Sequence, residues 1–221
     1  MKSGLIFDFD GVIADSEVLA GTILAEFVSD LGLATTLNQA LNRYGGKRWS
    51  EIMAAVEDGV GQKLPEGFSE RLKEATLSRF RQDLRAIEGT ADFLERFREV
   101  PHCVASSSSL DRLILCLDVL GLTKEFGDSV FSADMVARGK PFPDIFLLAA
   151  ERMKVKPVDC IVIEDSANGV RAGVAAGMTV IGLCAASHLQ PGHAQRLRSA
   201  GASYSADSWN EVSVIVSALC Q

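Results

Sequence analysis

The chain has 221 residues, 48% of them hydrophobic and 23% charged, enough apolar mass to bury a substantial core as one large or two small domains. Lysine and arginine number 22 against 29 aspartates and glutamates, a net charge of -7, so no basic field recruits a phosphate backbone and nucleic acid is not an expected partner. Local charge can still hold an anionic substrate, because a bound metal and one or two well-placed cations decide the potential at a site. Cys103, Cys116, Cys160, Cys184 and Cys220 show no CxxC or metal spacing and mostly sit in apolar runs, as reduced thiols of a cytoplasmic protein do. Asp8 and Asp10 interrupt the first apolar run, unlike a signal-peptide core, and no unbroken run reaches about 18 apolar residues. Secretion and membrane spanning are therefore not expected.

Leu5 to Gly11 is a short apolar run closed by glycine, which predicts a buried strand ending in a turn. The next stretch, about Ser16 to Glu88, is helical in pattern, with expected inner faces at Leu19, Ile23, Phe27 and Leu31 and again at Leu72, Ala75, Leu77 and Phe80. It contains no convincing strand and reads as an inserted helical domain, linked near Asp15 to Glu17 and Ala86 to Gly89, with Gly89 suited to a hinge. Strand-like runs then recur at His102–Ser106, Ser129–Ser132, Cys160–Ile163 and Met178–Gly182, separated by helical patterns opening near Ser109, Pro143-Asp144 and Asn168. That alternation predicts an α/β fold with a parallel sheet covered on both faces. No internal repeat is present.

Asp8 and Asp10 lie two apart at a strand end and share one face, while Gly11 lets the chain turn away. Two carboxylates thus converge beyond the sheet's carboxyl edge, where open α/β sheets bind ligands, and a cation between them relieves their repulsion. Oxygen-only ligands suit a hard ion such as Mg²⁺. With Asp15 the pattern fixes four positions, which at about 5–7% usage per residue type recurs by chance about once in several hundred such chains.

The stretch Asp8-Phe9-Asp10-Gly11-Val12-Ile13-Ala14-Asp15-Ser16-Glu17 resembles the first motif of the haloacid dehalogenase superfamily. Ser106 at a strand end, Lys140 in Gly139-Lys140-Pro141 and Glu164-Asp165-Ser166 resemble the second, third and fourth motifs, in the family's order. The resemblance implies a Rossmann-like core, residues 1–15 plus 89–221, with an α-helical cap inserted as residues 16–88. It also implies roles. Asp8 would attack phosphorus to form an aspartyl phosphate, and Asp10 would protonate the leaving alcohol and then deprotonate water. Mg²⁺ would be held by Asp8, the Asp10 carbonyl and Asp165, with Glu164 reaching it directly or through water. Ser106 and Ser107 would donate to the phosphoryl oxygens, and Lys140 would offset the repulsion between carboxylate and phosphate.

Asp10 favours phosphoryl transfer over dehalogenation, which has no leaving alcohol to protonate. The wording from Asp8 to Glu17 is similar to that of β-phosphoglucomutase and of phosphoglycolate and sugar-phosphate phosphatases. The mutase commonly carries a histidine where this chain has Ala20, so the expectation is a phosphatase of a small phosphorylated metabolite, such as a sugar phosphate or sugar-acid phosphate, with a mutase as the alternative. Gly45 to Ser50 resembles the family's specificity loop, where Lys47 and Arg48 would meet the distal part of the substrate; Lys47 also keeps Schiff-base phosphonate chemistry open, and Trp49 could touch substrate or pack. Arg138 could support the phosphate or pair with Asp134, and His102, His188 and His193 show no metal spacing and default to core or surface roles. A phospho-accepting signalling module is a reading of another class, disfavoured by the long insertion, and a silent scaffold conflicts with the complete acidic set. The oligomeric state stays open, with a monomer as the default.

Overall fold

The computed structural model describes residues 3–220. Strand β1 (Gly4–Phe7) is buried throughout, with Leu5 and Phe7 in one apolar layer and Ile6 in the other, as a strand covered on both faces requires. Helices α1 (Glu17–Asp30), α2 (Leu37–Tyr44), α3 (Trp49–Val60) and α4 (Phe68–Asp83) follow before the chain returns to the sheet. From there it runs α5 (Thr90–Phe97), β2 (His102–Ser106), α6 (Leu110–Val119), α7 (Thr123–Phe126), β3 (Val130–Ser132), α8 (Asp144–Met153), β4 (Cys160–Glu164), α9 (Ala167–Ala175), β5 (Thr179–Leu183), α10 (His193–Ala200), β6 (Tyr204–Ala206) and α11 (Trp209–Leu219).

The six strands lie in the order β3-β2-β1-β4-β5-β6, and every neighbouring pair is parallel. The chain enters at the centre, builds outward to β3, and returns beside β1 to build the other half. This is the expected α/β fold, with five strands where the apolar runs place them. The sequence pattern does not signal β6, α5, α10 or α11. Strand β6 is a three-residue edge strand whose Tyr204 is exposed, too short and too polar to show a period.

One face of the sheet is covered by an aromatic nest in which Phe7 packs 5.8 Å from Trp209 and 5.9 Å from Phe93, ring centre to ring centre. The other face is mostly aliphatic, built from Ile6, Val162 and Val180 beneath α8 and α9, with Phe146 of α8 and Phe131 of β3 beside them. The helical insertion has an apolar cluster of its own, including Leu24, Val28, Tyr44, Val56 and Leu72. The fully buried stripe of α1 is Gly21, Leu24, Ala25 and Val28, while the expected Ile23, Phe27 and Leu31 are partly buried against the same cluster and Leu19 against the main core. The stripe shifts because α1 packs against both α2 and α4, so its inner face is set by two neighbours at once. The end of α4 departs in another way: Phe80, with Leu84 just beyond the helix, belongs to the main core cluster and ties the insertion to the sheet. Among the described residues no helix is long and apolar enough to cross a membrane.

The two linkers are paired with each other. Asp15 N donates to Arg85 O at 3.0 Å and Ile87 N to Ile13 O at 2.8 Å, around an antiparallel bridge between Ala14 and Ala86. Arg48 adds a clasp. Its guanidinium donates to the Ala133 and Val136 carbonyls at 2.9 and 3.3 Å, in the loop after β3, filling space that a Cβ at Gly139 would claim. Two main-chain carbonyls of the core thus hold the charged end of Arg48, the residue expected to meet the distal part of a substrate. Lys73 and Asp111 form a further ion pair between α4 and α6.

Gly89, expected as a hinge, stands outside the paired linkers and is held by packing. Its φ is +89°, and a Cβ there would lie 2.9 Å from Trp209 Cβ. A side chain at Gly89 must adopt a left-handed backbone and displace the aromatic nest. Gly89→Ala is expected to lower stability by about 1–3 kcal/mol, read as a lower urea midpoint at unchanged slope; an unchanged midpoint would show that the nest adjusts freely.

Candidate active site

The carboxyl ends of β1, β2 and β4 meet at the centre of the sheet, where the chain reverses its direction of growth and a crevice opens. Asp8 follows β1, Ser106 ends β2, Glu164 ends β4 and Asp165 follows it. Lys140 reaches the same point from the loop before α8, placing Nζ 2.7 Å from Asp8 Oδ1, 2.7 Å from Glu164 Oε1 and 3.0 Å from the Ala105 carbonyl. All three ammonium donors are used, and the Lys140 side chain is only 3% exposed. Burial opposes its charge, but the two carboxylates outweigh it and raise the Lys140 pKa.

One ammonium does not balance the acids around it. Burial, with Glu164 and Asp10 adding to it, pushes the Asp8 carboxyl up to about 7 in spite of Lys140. Asp165 is raised well above the usual carboxylate range by burial first and then by Glu164 and Asp8. Carboxylate oxygens of Asp8, Glu164 and Asp165 lie within 4.8 Å of one another, and all three residues are buried.

Their partners differ. Glu164 Oε2 accepts from Ser166 N at 2.7 Å and Ser166 Oγ at 3.0 Å, and Oε1 accepts from Lys140, so both oxygens are satisfied by protein. Among the described residues no donor reaches the Asp165 carboxylate within hydrogen-bond distance; His188 Nε2 is 3.7 Å away. Gly11, at φ +80°, makes room for Asp165, since a Cβ there would fall 1.8 Å from its Oδ2. A donor set of oxygens alone, with surplus negative charge and one carboxylate free of protein donors, fits a hard divalent cation.

Asp10 lies beside this cluster in a different environment. Ser108 Oγ donates to its Oδ2 at 2.6 Å, while Ser16 Oγ and the Arg112 guanidinium donate to Oδ1. Burial would raise the Asp10 pKa, but the Arg112 charge and the three hydrogen bonds outweigh burial and lower it. Glu17, the first residue of α1, is pushed up to about 7 by burial and by Asp10, with Arg112 opposing. Ser106 is buried, and its Oγ accepts from Ser108 N at 3.2 Å; Ser107 faces the cavity.

The cavity above the sheet edge has a volume of about 540 Å³ and is roofed by α1, α2 and the loop before α3. That volume suits a small metabolite. Lys47 and Ala20 line it, whereas Arg48 does not. Trp49 also lines it, with Nε1 bonded to Ser69 Oγ at 2.9 Å. Arg138 chooses neither of its expected partners: it pairs with Asp144 at 3.0 and 2.8 Å.

Several wall residues carry no motif. His188 and His193, expected in core or surface roles, stand at the rim. His193 Nε2 contacts the Asp165 carbonyl, which can only accept, so Nε2 bears the proton and Nδ1 accepts from Arg196 at 3.1 Å. Arg112, which pairs with Asp10, belongs to none of the four motifs. Its one sequence signal is a cation in the first turn of a helix, where the dipole favours acids such as its neighbour Asp111.

The sequence profile of the haloacid dehalogenase-like hydrolases matches residues 2–177. A 6-phosphogluconate phosphatase of Escherichia coli (strain K12) is 30% identical over 188 residues, 85% of each chain. A fructose-1-phosphate phosphatase of the same strain is 32% identical over 180 residues, 81% of this chain and 95% of that one. Among solved structures, a conserved haloacid dehalogenase-like protein of unknown function from Agrobacterium tumefaciens str. C58 superposes with a TM-score of 0.85 at 33% identity, covering 100% of both chains. The fold, the four motifs at the sheet edge and this match agree: the chain belongs to the haloacid dehalogenase-like hydrolase family.

Proposed function

We propose that this chain is a Mg²⁺-dependent phosphatase of small phosphomonoesters, sugar phosphates or sugar-acid phosphates, working through an aspartyl phosphate on Asp8. The observation that carries this reading is Asp8 itself: a buried carboxylate at the end of β1, touching Lys140, with Asp10 two residues on and Asp165 beside it. The relatives that hydrolyse 6-phosphogluconate and fructose 1-phosphate, by their names, support the substrate class. The cavity is of matching size.

Asp8 attacks phosphorus, and the Lys140 ammonium lowers the repulsion between its carboxylate and the phosphate. Ser106 and Ser107 bind the phosphoryl oxygens. Asp8, the Asp10 carbonyl and Asp165 would hold the cation, with Glu164 turned toward Lys140 and Ser166; bound there, the cation supplies charge neutralisation to the transferring group. Asp10 gives a proton to the leaving alcohol and takes one from water. Residues 16–88 form the cap over a core of residues 1–15 and 89–221. Lys47, on the cavity wall, meets the distal part of the substrate. Ala20 leaves no imidazole at that position to shield the phosphorylated aspartate, which favours hydrolysis over transfer to a second sugar. The five unpaired thiols support a reducing, cytoplasmic setting.

A screen of phosphorylated metabolites with magnesium tests the activity. Turnover of at least one sugar phosphate is expected, and Asp8→Asn should reduce it by about 1,000-fold or more. No turnover of any phosphoester, or an Asp8→Asn variant equal to wild type, would reject the reading.

The metal assignment has its own measurement. A ligand at about 100 times its dissociation constant stabilises the folded state by about 2.7 kcal/mol, so magnesium should raise the melting temperature of the wild type by several degrees. Asp165→Asn should melt normally without magnesium and lose that rise. A rise retained in Asp165→Asn would place the ion elsewhere.

A further inference from the structure

Asp10 must abstract a proton from an attacking water if the phosphatase reading holds, and the present inference rests on that reading. An ionised carboxylate offers about four acceptor positions, two on each oxygen. Three are filled here. Ser16 and Arg112 occupy Oδ1, and Ser108 occupies one position on Oδ2 at 2.6 Å. The open lone pair is on Oδ2, and Asp10 lines the cavity.

The three donors are not equivalent. A serine hydroxyl rotates and can donate or accept, whereas a guanidinium only donates and only to an acceptor. Arg112 is also the donor with an aromatic support behind it. Its side chain is 18% exposed, its Cζ sits 4.9 Å from the ring centre of Phe80, and its Nε is buried with no hydrogen-bond partner. Phe80 comes from α4 of the insertion and is fully buried in the main core cluster, so the guanidinium is clamped between the insertion and α6. Among the described residues Asp10 is the one carboxylate within 4.0 Å of the Arg112 guanidinium, while the Glu17 carboxyl lies near enough to feel its charge.

We propose that Arg112 is the positioning residue for the base: it pins Oδ1 of Asp10, with Phe80 as its backstop, so that Oδ2 faces the water that hydrolyses the phosphorylated Asp8. In that step the water oxygen bonds to phosphorus and the bond from phosphorus to the Asp8 oxygen breaks. Its electron pair returns to the Asp8 carboxylate, one water proton passes to Asp10 Oδ2, and hydrogen phosphate leaves. Arg112 touches none of the reacting atoms and acts through Asp10.

4-Nitrophenyl phosphate isolates this step, because nitrophenolate leaves without a proton donor and phosphorylation of Asp8 then needs little from Asp10. Arg112→Met and Arg112→Lys are compared with wild type in magnesium, in the wild-type and Asp10→Asn backgrounds, by stopped-flow release of nitrophenolate and by the mass of the acid-quenched protein. For Arg112→Met the first turnover should stay within about 3-fold of wild type while steady turnover falls about 10- to 100-fold. The release should then show a burst approaching one nitrophenolate per site, with the phosphoryl group found on Asp8. Arg112→Lys should recover part of the loss. In the Asp10→Asn background Arg112→Met should change steady turnover by less than about 2-fold, since two residues acting as a unit are not additive.

Loss of both phases by the same factor, or an undiminished loss in the Asp10→Asn background, would show a structural role and overturn the assignment while leaving the phosphatase reading intact. A wild type that never forms phosphoryl-enzyme would remove the reading and this inference together. If Arg112→Met does not fold, Phe80→Leu carries the test. It keeps an apolar side chain, and should give a smaller burst of the same kind; no change in the ratio of the two phases would count against the backstop.

Discussion

Lys140 stands between Asp8 and Glu164 with its ammonium buried, and the arrangement of the whole crevice follows from that contact. A carboxylate removed from water is costly unless a partner compensates it, and a buried ion pair that loses one partner costs about 3–5 kcal/mol. Three carboxylates crowd the end of β1 and β4, and Lys140 reaches two of them. Asp165 is the member left over. The geometry is therefore compensated in part, and the uncompensated part is where an added divalent cation would offset the surplus negative charge.

Asp10 is treated differently by the same chain. Only Phe9 separates it from Asp8 along the chain, yet Arg112, Ser16 and Ser108 favour its ionised form while burial raises Asp8. An ionised Asp10 is the form that can take a proton from water. The division depends on α6 and on the junction at Ser16, and neither belongs to the strand that carries the pair.

The connection between the helical insertion and the sheet is also electrostatic. The linkers pair at Ala14 and Ala86, while Arg48 ties the insertion to the loop after β3, and Lys73 with Asp111 and Phe80 with Arg112 tie α4 to α6. Two of those ties end in the loop after β3 and at the start of α6, which also supply Lys140 and Ser108 to the site.

Much of this could be read from the chain alone, because local patterns answer to local rules. Apolar runs of four or five residues mark strands wherever both faces of a sheet are covered, and Asp8, Ser106 and Glu164-Asp165 follow such runs directly. Lys140 is recognisable by its motif. Arg48 and Arg112 are not separable by sequence: each is an arginine near a helix start, and one clasps two carbonyls of the core while the other pairs with Asp10. His188, His193 and Arg138 likewise carry no period or spacing that names a partner. Sequence determined which residues could carry charge at the ends of which strands, since strand and turn propensities act over a few neighbouring residues. Only the tertiary structure decided which charges meet, because a pairing such as Asp10 with Arg112 spans most of the core and is set by how α4 and α6 pack, not by anything within reach of either residue along the chain.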